Sequence, residues 1–340
     1  MKARAIIFED IGRVALRDVE LPAPTPKDVV ADMLVSGVSV GTERWALLGK
    51  RPDMKFPHIP GYMGIARITQ VGSEARSRGY EIGQLINLGS ARVPEPYCGN
   101  SWMASHLSHA VVDVCVPPWD PQGFNAMRCE RLPETLDPID ASLTQLCAVA
   151  LRGIEMATVP AAAKVLVVGL GVIGLYAVQV CRLKGASVAA TDVVPHRLDV
   201  ARKVGADWVI NGKAENLKDR AAAISPGGFD IIIDTSSIPA VVNGVFPLLK
   251  QHGKFIFQGW YPPPSALDLN VMHGRLPTCY FPCGHTGRAT AAAMQWAADG
   301  KLDTQSMITH RSRPEEAKEI YSMLEKGADD SLGVIFDWRK

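Results

Sequence analysis

The chain has 340 residues, 47% of them hydrophobic and 21% charged, with a formal net charge of +1. That length exceeds the usual single-domain range and predicts two domains with sizeable cores, while the near-neutral balance gives no electrostatic basis for binding nucleic acid or an anionic membrane. Seven cysteines, at 98, 115, 129, 147, 181, 279 and 283, make no disulfide framework and point to a reducing, cytoplasmic compartment.

Taken in chain order, "MKARAIIFED" reaches an acidic pair after a short apolar run, which is not the pattern of a signal peptide. Up to residue 135 the segments "AIIF", "VALRDV", "VVADMLVSGV", "GIARITQVG" and "HAVVDVCV" are strand-like and separated by turn residues. They predict a β-rich domain over 1–135 in the form of a partly open barrel. The segment 115–130, "CVPPWDPQGFNAMRCE", is longer than a plain connection needs and reads as a lid or as a surface loop.

The strongest motif lies mid-chain. "VLVV" (165–168) is a short β-branched run, and "GLGVIG" (169–174) follows it directly and opens a helical pattern that closes at Gly185. This is G-x-G-x-x-G in a strand-to-helix setting: Gly169 permits the tight turn, Gly171 lets backbone approach a pyrophosphate, and Gly174 lets helix pack on strand, with Val172 and Ile173 in the opening turn facing the phosphates. The whole apolar stretch 165–180 is broken by glycines and too short to span a bilayer comfortably. A second strand, "SVAA" (187–190), ends at Thr191 and Asp192, the latter 21 residues beyond Gly171. An acid there accepts hydrogen bonds from a ribose diol and repels a 2′-phosphate, so NAD is the expected cofactor; Arg197 is a nearby cation able to offset that repulsion.

A helix over 195–206 and strands at 208–210, 230–237 and 254–260 continue the βα rhythm, the last two as near-continuous apolar runs suited to a parallel sheet covered on both faces. Thr235, Ser236 and Gly259, with the adjoining Trp260, fall just past strand C-termini, where ligands of open α/β sheets bind. For Thr235 and Ser236 a solvated loop role is the alternative. The expected fold class is therefore α/β, a doubly wound Rossmann sheet over 136–285 beside the β-rich domain. After residue 285 two helix-like segments and the strand "LGVIFDW" form a tail, 286–340, that completes the first domain.

This arrangement resembles the medium-chain dehydrogenase/reductase superfamily over essentially the whole chain, with a GroES-like first domain. "SGVSVGTERW" (36–45), "HIPGYMG" (58–64), "GWYPPP" (259–264), "MITHR" (307–311) and "GVIFDW" (333–338) are similar to the zinc-lacking branch that includes bacteriochlorophyllide a dehydrogenase. In zinc members of the superfamily a Cys precedes Gly-Thr/Ser-Asp; matching "GTE" (41–43) to that pattern puts Val40 at the Cys. The ligand His matches Tyr62, its neighbouring Glu matches Met63, and the third ligand falls near Gln145, two residues from Cys147. Zinc needs three good N, S or O donors and an open position, which these residues do not supply. The structural zinc lobe is also missing its four close cysteines, since only Cys98 and Cys115 lie in that region. "CYFPCGH" (279–285) is read as buried thiols and a capped His rather than as a metal site. No metal is expected.

Without a Lewis acid, hydride transfer from an alcohol carbon still requires removal of the hydroxyl proton. The resemblance implies Thr42 as the hydroxyl that passes the proton toward the cofactor ribose. Tyr62 is either a phenol beside the reacting oxygen, its acidity adjusted by Glu43 or Arg44, or an aromatic plug in the vacated ligand space. A salt bridge is the alternative for Glu43 and for Arg44. His58, His106 and His109 are rival acid/base groups. Trp45, Tyr97, Trp102, Trp119, Trp260 and Tyr261, with Gln145, either line a wide apolar pocket or belong to core.

Three functions are compatible with these residues: a zinc-independent NAD-dependent dehydrogenase of a bulky secondary alcohol or its ketone, a zinc-free reductase of quinones or enones, and a non-catalytic dinucleotide-binding protein. A small-molecule substrate and a homodimer are the expected partners.

Overall fold

In the computed structural model residues 1–51, 53–88, 91–97, 104–115, 129–261, 263–327 and 331–339 are described. Segment 116–128, most of the stretch read above as a lid or loop, lies outside them, as do Cys98, Trp102 and Trp119.

The alternating N-terminal pattern folds as expected into antiparallel strands. β1 (Lys2–Asp10) and β2 (Arg13–Glu20) pair as a hairpin. β3 (Asp28–Val38) is buried on both faces because it is central: it pairs with β4 (Met63–Val71) and, on its other edge, with β6 (His109–Asp113). Between β3 and β4 the chain forms α1 (Val40–Leu47), which no long apolar period marks in the sequence. A short α2 (Ser73–Ser77), β5 (Leu85–Leu88), β7 (Glu130–Arg131) and α3 (Pro138–Ala141) complete this part before α4 (Thr144–Met156).

From α4 onward the chain alternates strictly: β8 (Lys164–Val168), α5 (Val172–Leu183), β9 (Ser187–Asp192), α6 (Pro195–Lys203), β10 (Trp208–Asn211), α7 (Leu217–Ile224), β11 (Phe229–Asp234), α8 (Pro239–Val245), β12 (Leu249–Phe257), α9 (Leu269–His273) and β13 (Thr278–Tyr280). All five neighbouring pairs are parallel, in the order β10-β9-β8-β11-β12-β13. Numbered within the sheet this is 3-2-1-4-5-6, the order of a doubly wound dinucleotide fold. β8 and β11 are apolar almost throughout because helices cover both faces, so side chains on either side of the pleat are out of water.

α10 (Gly287–Ala298), β14 (Ile308–Ser312), α11 (Ala317–Lys326) and β15 (Gly333–Asp337) form the tail. β15 pairs antiparallel with β3 and parallel with β14, which extends the N-terminal sheet to β14-β15-β3-β4-β5-β7 with β6 on β3. The chain thus folds as two units: Met1–Gln145 with Thr286–Gly300 and Ile308–Lys340, and Leu146–His285 with Lys301–Met307. In the first, Ile6, Phe8, Val38, Leu47, Tyr321, Val334 and Phe336 share one buried cluster, so the tail is part of that core. In the second, stacked Phe246 and Phe255 anchor a core that also takes in Leu166, Ile232 and Phe257. Among the described residues no helix is long and apolar enough to cross a membrane.

Candidate active site

In the second unit the glycine turn has the geometry its sequence implies. Gly169 has φ +83°, a conformation costly for any residue with a Cβ. A Cβ at Gly174 would stand 2.0 Å from the Gly169 carbonyl oxygen, whereas one at Gly171 would meet nothing within 4 Å. Gly174 is therefore required by packing and Gly171 leaves open space at the start of α5, whose N-terminus no side chain caps. Val172 and Ile173 follow in the opening turn, so their amides lie at the positive end of the helix dipole.

Asp192 terminates β9. Its Oδ2 accepts from the Leu170 amide at 2.6 Å, and its Oδ1 from the amides of Val193 and Val194 at 2.7 and 3.0 Å; the Arg197 guanidinium lies 4.0 Å away. The carboxylate thus holds the glycine turn to the end of β9, and Oδ2, which among the described residues accepts only from Leu170, keeps lone-pair capacity for a ribose hydroxyl. The Thr235 hydroxyl donates to the Gly169 carbonyl at 2.7 Å, which makes it a brace for the turn. Ser236 Oγ donates to Asp234 Oδ1 at 2.7 Å, and Tyr261 donates its hydroxyl to Asp234 Oδ2. Burial pushes the Asp234 carboxyl up despite these donors. Gly259 packs against Ser237, whose Oγ a Cβ there would approach to 2.4 Å. Trp260 is 63% exposed. The open cradle at Gly171 and the acid at the end of β9 fit a nicotinamide dinucleotide.

In the first unit Tyr62 is half-buried, and its hydroxyl donates to Ser39 Oγ at 2.6 Å and is also hydrogen-bonded to Thr42. Burial raises the phenol above its ordinary range, the hydrogen bonds to Ser39 and Thr42 pull it down, and the Glu43 carboxylate raises it. The structure therefore joins two of the three residues singled out for proton handling, and adds Ser39, which the sequence reading missed. The available signal was a serine directly before a helix that carries Glu four residues later.

Glu43 corrects the reading from sequence. It is fully buried, with Oε1 accepting from the Ser39 amide at 2.8 Å and Oε2 from the Tyr321 hydroxyl and from His106 Nε2 at 3.0 Å. A carboxylate enclosed by these donors is not placed to touch substrate, nor is it a surface salt bridge. Arg44 is not an ion-pair partner in this network either; it donates to the Glu325 carbonyl near the end of α11. His58 is buried between the rings of Phe8 and Phe56, with Nδ1 on the Lys55 carbonyl, and burial lowers its pKa. His109 is partly exposed, bonded through Nδ1 to Ser108 and 3.6 Å from Asp32.

Of the residues read as pocket-lining, Tyr97 instead packs against the apolar core of the first unit, and Tyr261 is committed to Asp234 and the ring of Phe257. Trp45 is half-buried on α1, and Gln145 is buried at the start of α4. Trp102 lies outside the described residues.

At the position aligned with the ligand Cys, Val40 is half-buried against the β15 cluster and offers no donor atom; Met63, aligned with the Glu beside the ligand His, is buried and offers only a neutral thioether. Cys147 is fully buried in apolar surroundings that push its thiol up strongly, which opposes the thiolate a metal requires. In "CYFPCGH" the expectation of buried thiols fails for Cys283, which is exposed, while Cys279 is half-buried. Among the described residues no group of three or more His, Cys, Asp or Glu side chains is placed to hold a metal ion.

Residues 172–296 match a family model described as zinc-binding dehydrogenase. An uncharacterized zinc-type alcohol dehydrogenase-like protein, YdjJ of Escherichia coli (strain K12), is 30% identical over 323 residues, 91% of each chain. L-threonine 3-dehydrogenase of Rhizobium etli (strain CIAT 652) is 26% identical over 351 residues, 99% of each. A protein of Sinorhizobium meliloti 1021 bound to NADP, itself described as a zinc-binding dehydrogenase, superposes with a TM-score of 0.83 at 22% identity over 99% of both chains.

Proposed function

From the premise that the chain belongs to the medium-chain, zinc-type alcohol dehydrogenase-like family, we propose that it is a zinc-independent, NAD-dependent oxidoreductase that interconverts a bulky secondary alcohol and its ketone. The coarser activity, a nicotinamide-dependent oxidoreductase, follows from the family. The finer reading is carried by one observation: where a ligand His is expected, Tyr62 presents a phenol held by Ser39 and Thr42.

When bound, the dinucleotide supplies the hydride donor or acceptor. Residues 169–174 would hold its pyrophosphate and Asp192 its adenosine ribose. A phenol raised by burial stays protonated near neutrality, so Tyr62 serves as the donor to a ketone oxygen during reduction, its one proton turning from Ser39 Oγ to the ketone while the Ser39 hydroxyl turns to donate to Tyr62. In the oxidative direction the alcohol proton passes to Tyr62 as the phenol proton moves to Ser39 Oγ and the Ser39 hydroxyl releases its own proton onward toward solvent, so neither a free phenolate nor a protonated serine is needed. Zinc does not fit the residues: Val40 has no lone pair, the neutral thioether of Met63 is a poor zinc ligand, and the Tyr62 oxygen is engaged. Those same replacements favour apolar surface, and a bulky ring-bearing alcohol, as in the zinc-lacking branch resembled above, follows from that character. We extend the reading to a homodimer acting in a reducing compartment.

Tyr62→Phe tests the core of this. It should lower kcat by roughly 10²-fold or more while leaving the NADH dissociation constant nearly unchanged. Normal turnover by that variant would reduce Tyr62 to a plug. The rival reading, a reductase of quinones or enones, draws support from the NADP-bound neighbour, because the cofactor choice then rests on Asp192 with Arg197 beside it. NADH and NADPH oxidation against a panel of ketones, quinones and enones separates the two.

A further inference from the structure

The Glu43 carboxylate is costly to bury, and the chain devotes three donors to it, two of them from distant segments. Beyond the Ser39 amide, Tyr321 comes from α11 and His106 from the stretch before β6. The arrangement continues outward: His106 Nδ1 lies 2.7 Å from Ser36 Oγ, which accepts from the Trp338 indole at 2.9 Å. A carboxylate only accepts, so Nε2 carries the proton aimed at Glu43, and in the neutral imidazole Nδ1 then accepts from the Ser36 hydroxyl. His106, Ser36 and Glu43 are buried, so water does not compete for these bonds.

The local geometry says what this investment achieves. Ser39 occupies the N-cap of α1, where a serine Oγ ordinarily accepts from an amide of the first turn. Here it makes no such bond. Glu43 reaches back to the Ser39 amide in the manner of a capping-box acid, and Ser39 Oγ accepts from Tyr62 instead. We infer that Glu43, secured by Tyr321 and His106, is a positioning residue that fixes Ser39 and through it the direction of the Tyr62 hydroxyl. This rests on the preceding reading, in which that hydroxyl meets the substrate oxygen. A cap needed only for helix stability would function as well at the surface, without a histidine, a tyrosine and a tryptophan arranged behind it.

The test is a double-variant cycle on the full-length protein with a ketone that the wild type reduces. Tyr321→Phe removes one donor to Glu43 and leaves Tyr62, Ser39 and Thr42 in place. It should lower kcat about tenfold with the NADH dissociation constant within about twofold of wild type, and it should cause no further loss when added to Tyr62→Phe. An unchanged kcat in Tyr321→Phe, or losses that multiply in the double variant, overturns the inference while leaving the role of Tyr62 intact. If Tyr62→Phe alone is fully active, the proposed function fails and takes the inference with it. Should Tyr321→Phe not fold, the cycle is run with Ser39→Ala, which keeps the backbone amide on Glu43. The same non-additive loss is then expected, and full activity of Ser39→Ala overturns the link.

Discussion

Gly171→Ala offers a clean separation of folding from cofactor binding. A methyl group at this position meets no atom within 4 Å, and the backbone, at φ −65° and ψ 178°, is extended geometry open to any residue. Two small terms act on stability: alanine is a poorer N-cap than glycine by up to about 1 kcal/mol, and it stiffens the unfolded chain, which stabilises by about 0.4–1 kcal/mol. They oppose each other, so the melting temperature without cofactor should stay within about 2 °C of wild type. Binding is another matter. The added methyl occupies the space through which a pyrophosphate must reach the first amides of α5. Loss of one charge-assisted hydrogen bond costs about 1.5–3 kcal/mol, and at about 1.4 kcal/mol per tenfold the NADH dissociation constant should rise roughly 10- to 150-fold. Differential scanning fluorimetry of the cofactor-free protein and calorimetric titration with NADH measure the two quantities. An unchanged affinity would refute the placement of the pyrophosphate. A fall in melting temperature comparable to that of Gly174→Ala, whose Cβ would stand 2.0 Å from a backbone oxygen, would refute the claim that the position is empty.

NADH should bind at least about tenfold more tightly than NADPH, because Asp192 opposes a 2′-phosphate, and Asp192→Ser should narrow or reverse that ratio with Arg197 beside it; equal dissociation constants in the wild type would sink the argument. Elemental analysis of the purified protein should find no stoichiometric zinc, and chelators should leave activity unchanged; one zinc per chain would overturn this. Burial pushes the Asp337 carboxyl up, but hydrogen bonds from Arg339 and Arg311 outweigh it and hold the group well below the usual carboxylate range. A folded-state value below the unfolded one contributes stability that is complete above about pH 4 and is lost as pH falls through the folded value. Urea midpoints measured from pH 7 to 3 should therefore decline more steeply for the wild type than for Asp337→Asn; parallel curves would contradict the assignment.

The second unit was legible because its signals are local. The fingerprint glycines and the apolar runs of β8 and β11 are read within a few residues, and the acid ending β9 is found by a fixed spacing although it acts on Leu170, 22 residues away. The first unit was legible only as strands. α1 is too short for a helical period to emerge, and its Glu43 reads as a surface charge until Tyr321, 278 residues away, is seen to cover it. Trp338 reaches Ser36 across 302 positions, a pairing that no spacing rule anticipates. Aromatic residues misled for a related reason: Tyr97 and Tyr261 resemble pocket walls by composition, yet each is consumed by its own unit, one by core packing and one by Asp234.

The position of β15 between β14 and β3 bears on the order in which the polypeptide acquires its parts during synthesis. β3 ends at Val38, but the strand that completes its edge does not begin until Gly333. At about 5–20 residues per second the ribosome needs on the order of half a minute to make the intervening chain. In that interval β8 to β13, which are contiguous and pair among themselves, are free to assemble, whereas the N-terminal sheet waits with Ser36 and Glu43 lacking Trp338 and Tyr321. A nascent chain stalled before residue 321 would thus carry a finished parallel sheet and an unfinished N-terminal sheet. Truncated translation products are expected to retain dinucleotide in the absence of turnover, and to expose the unpaired edge of β3 to chaperones.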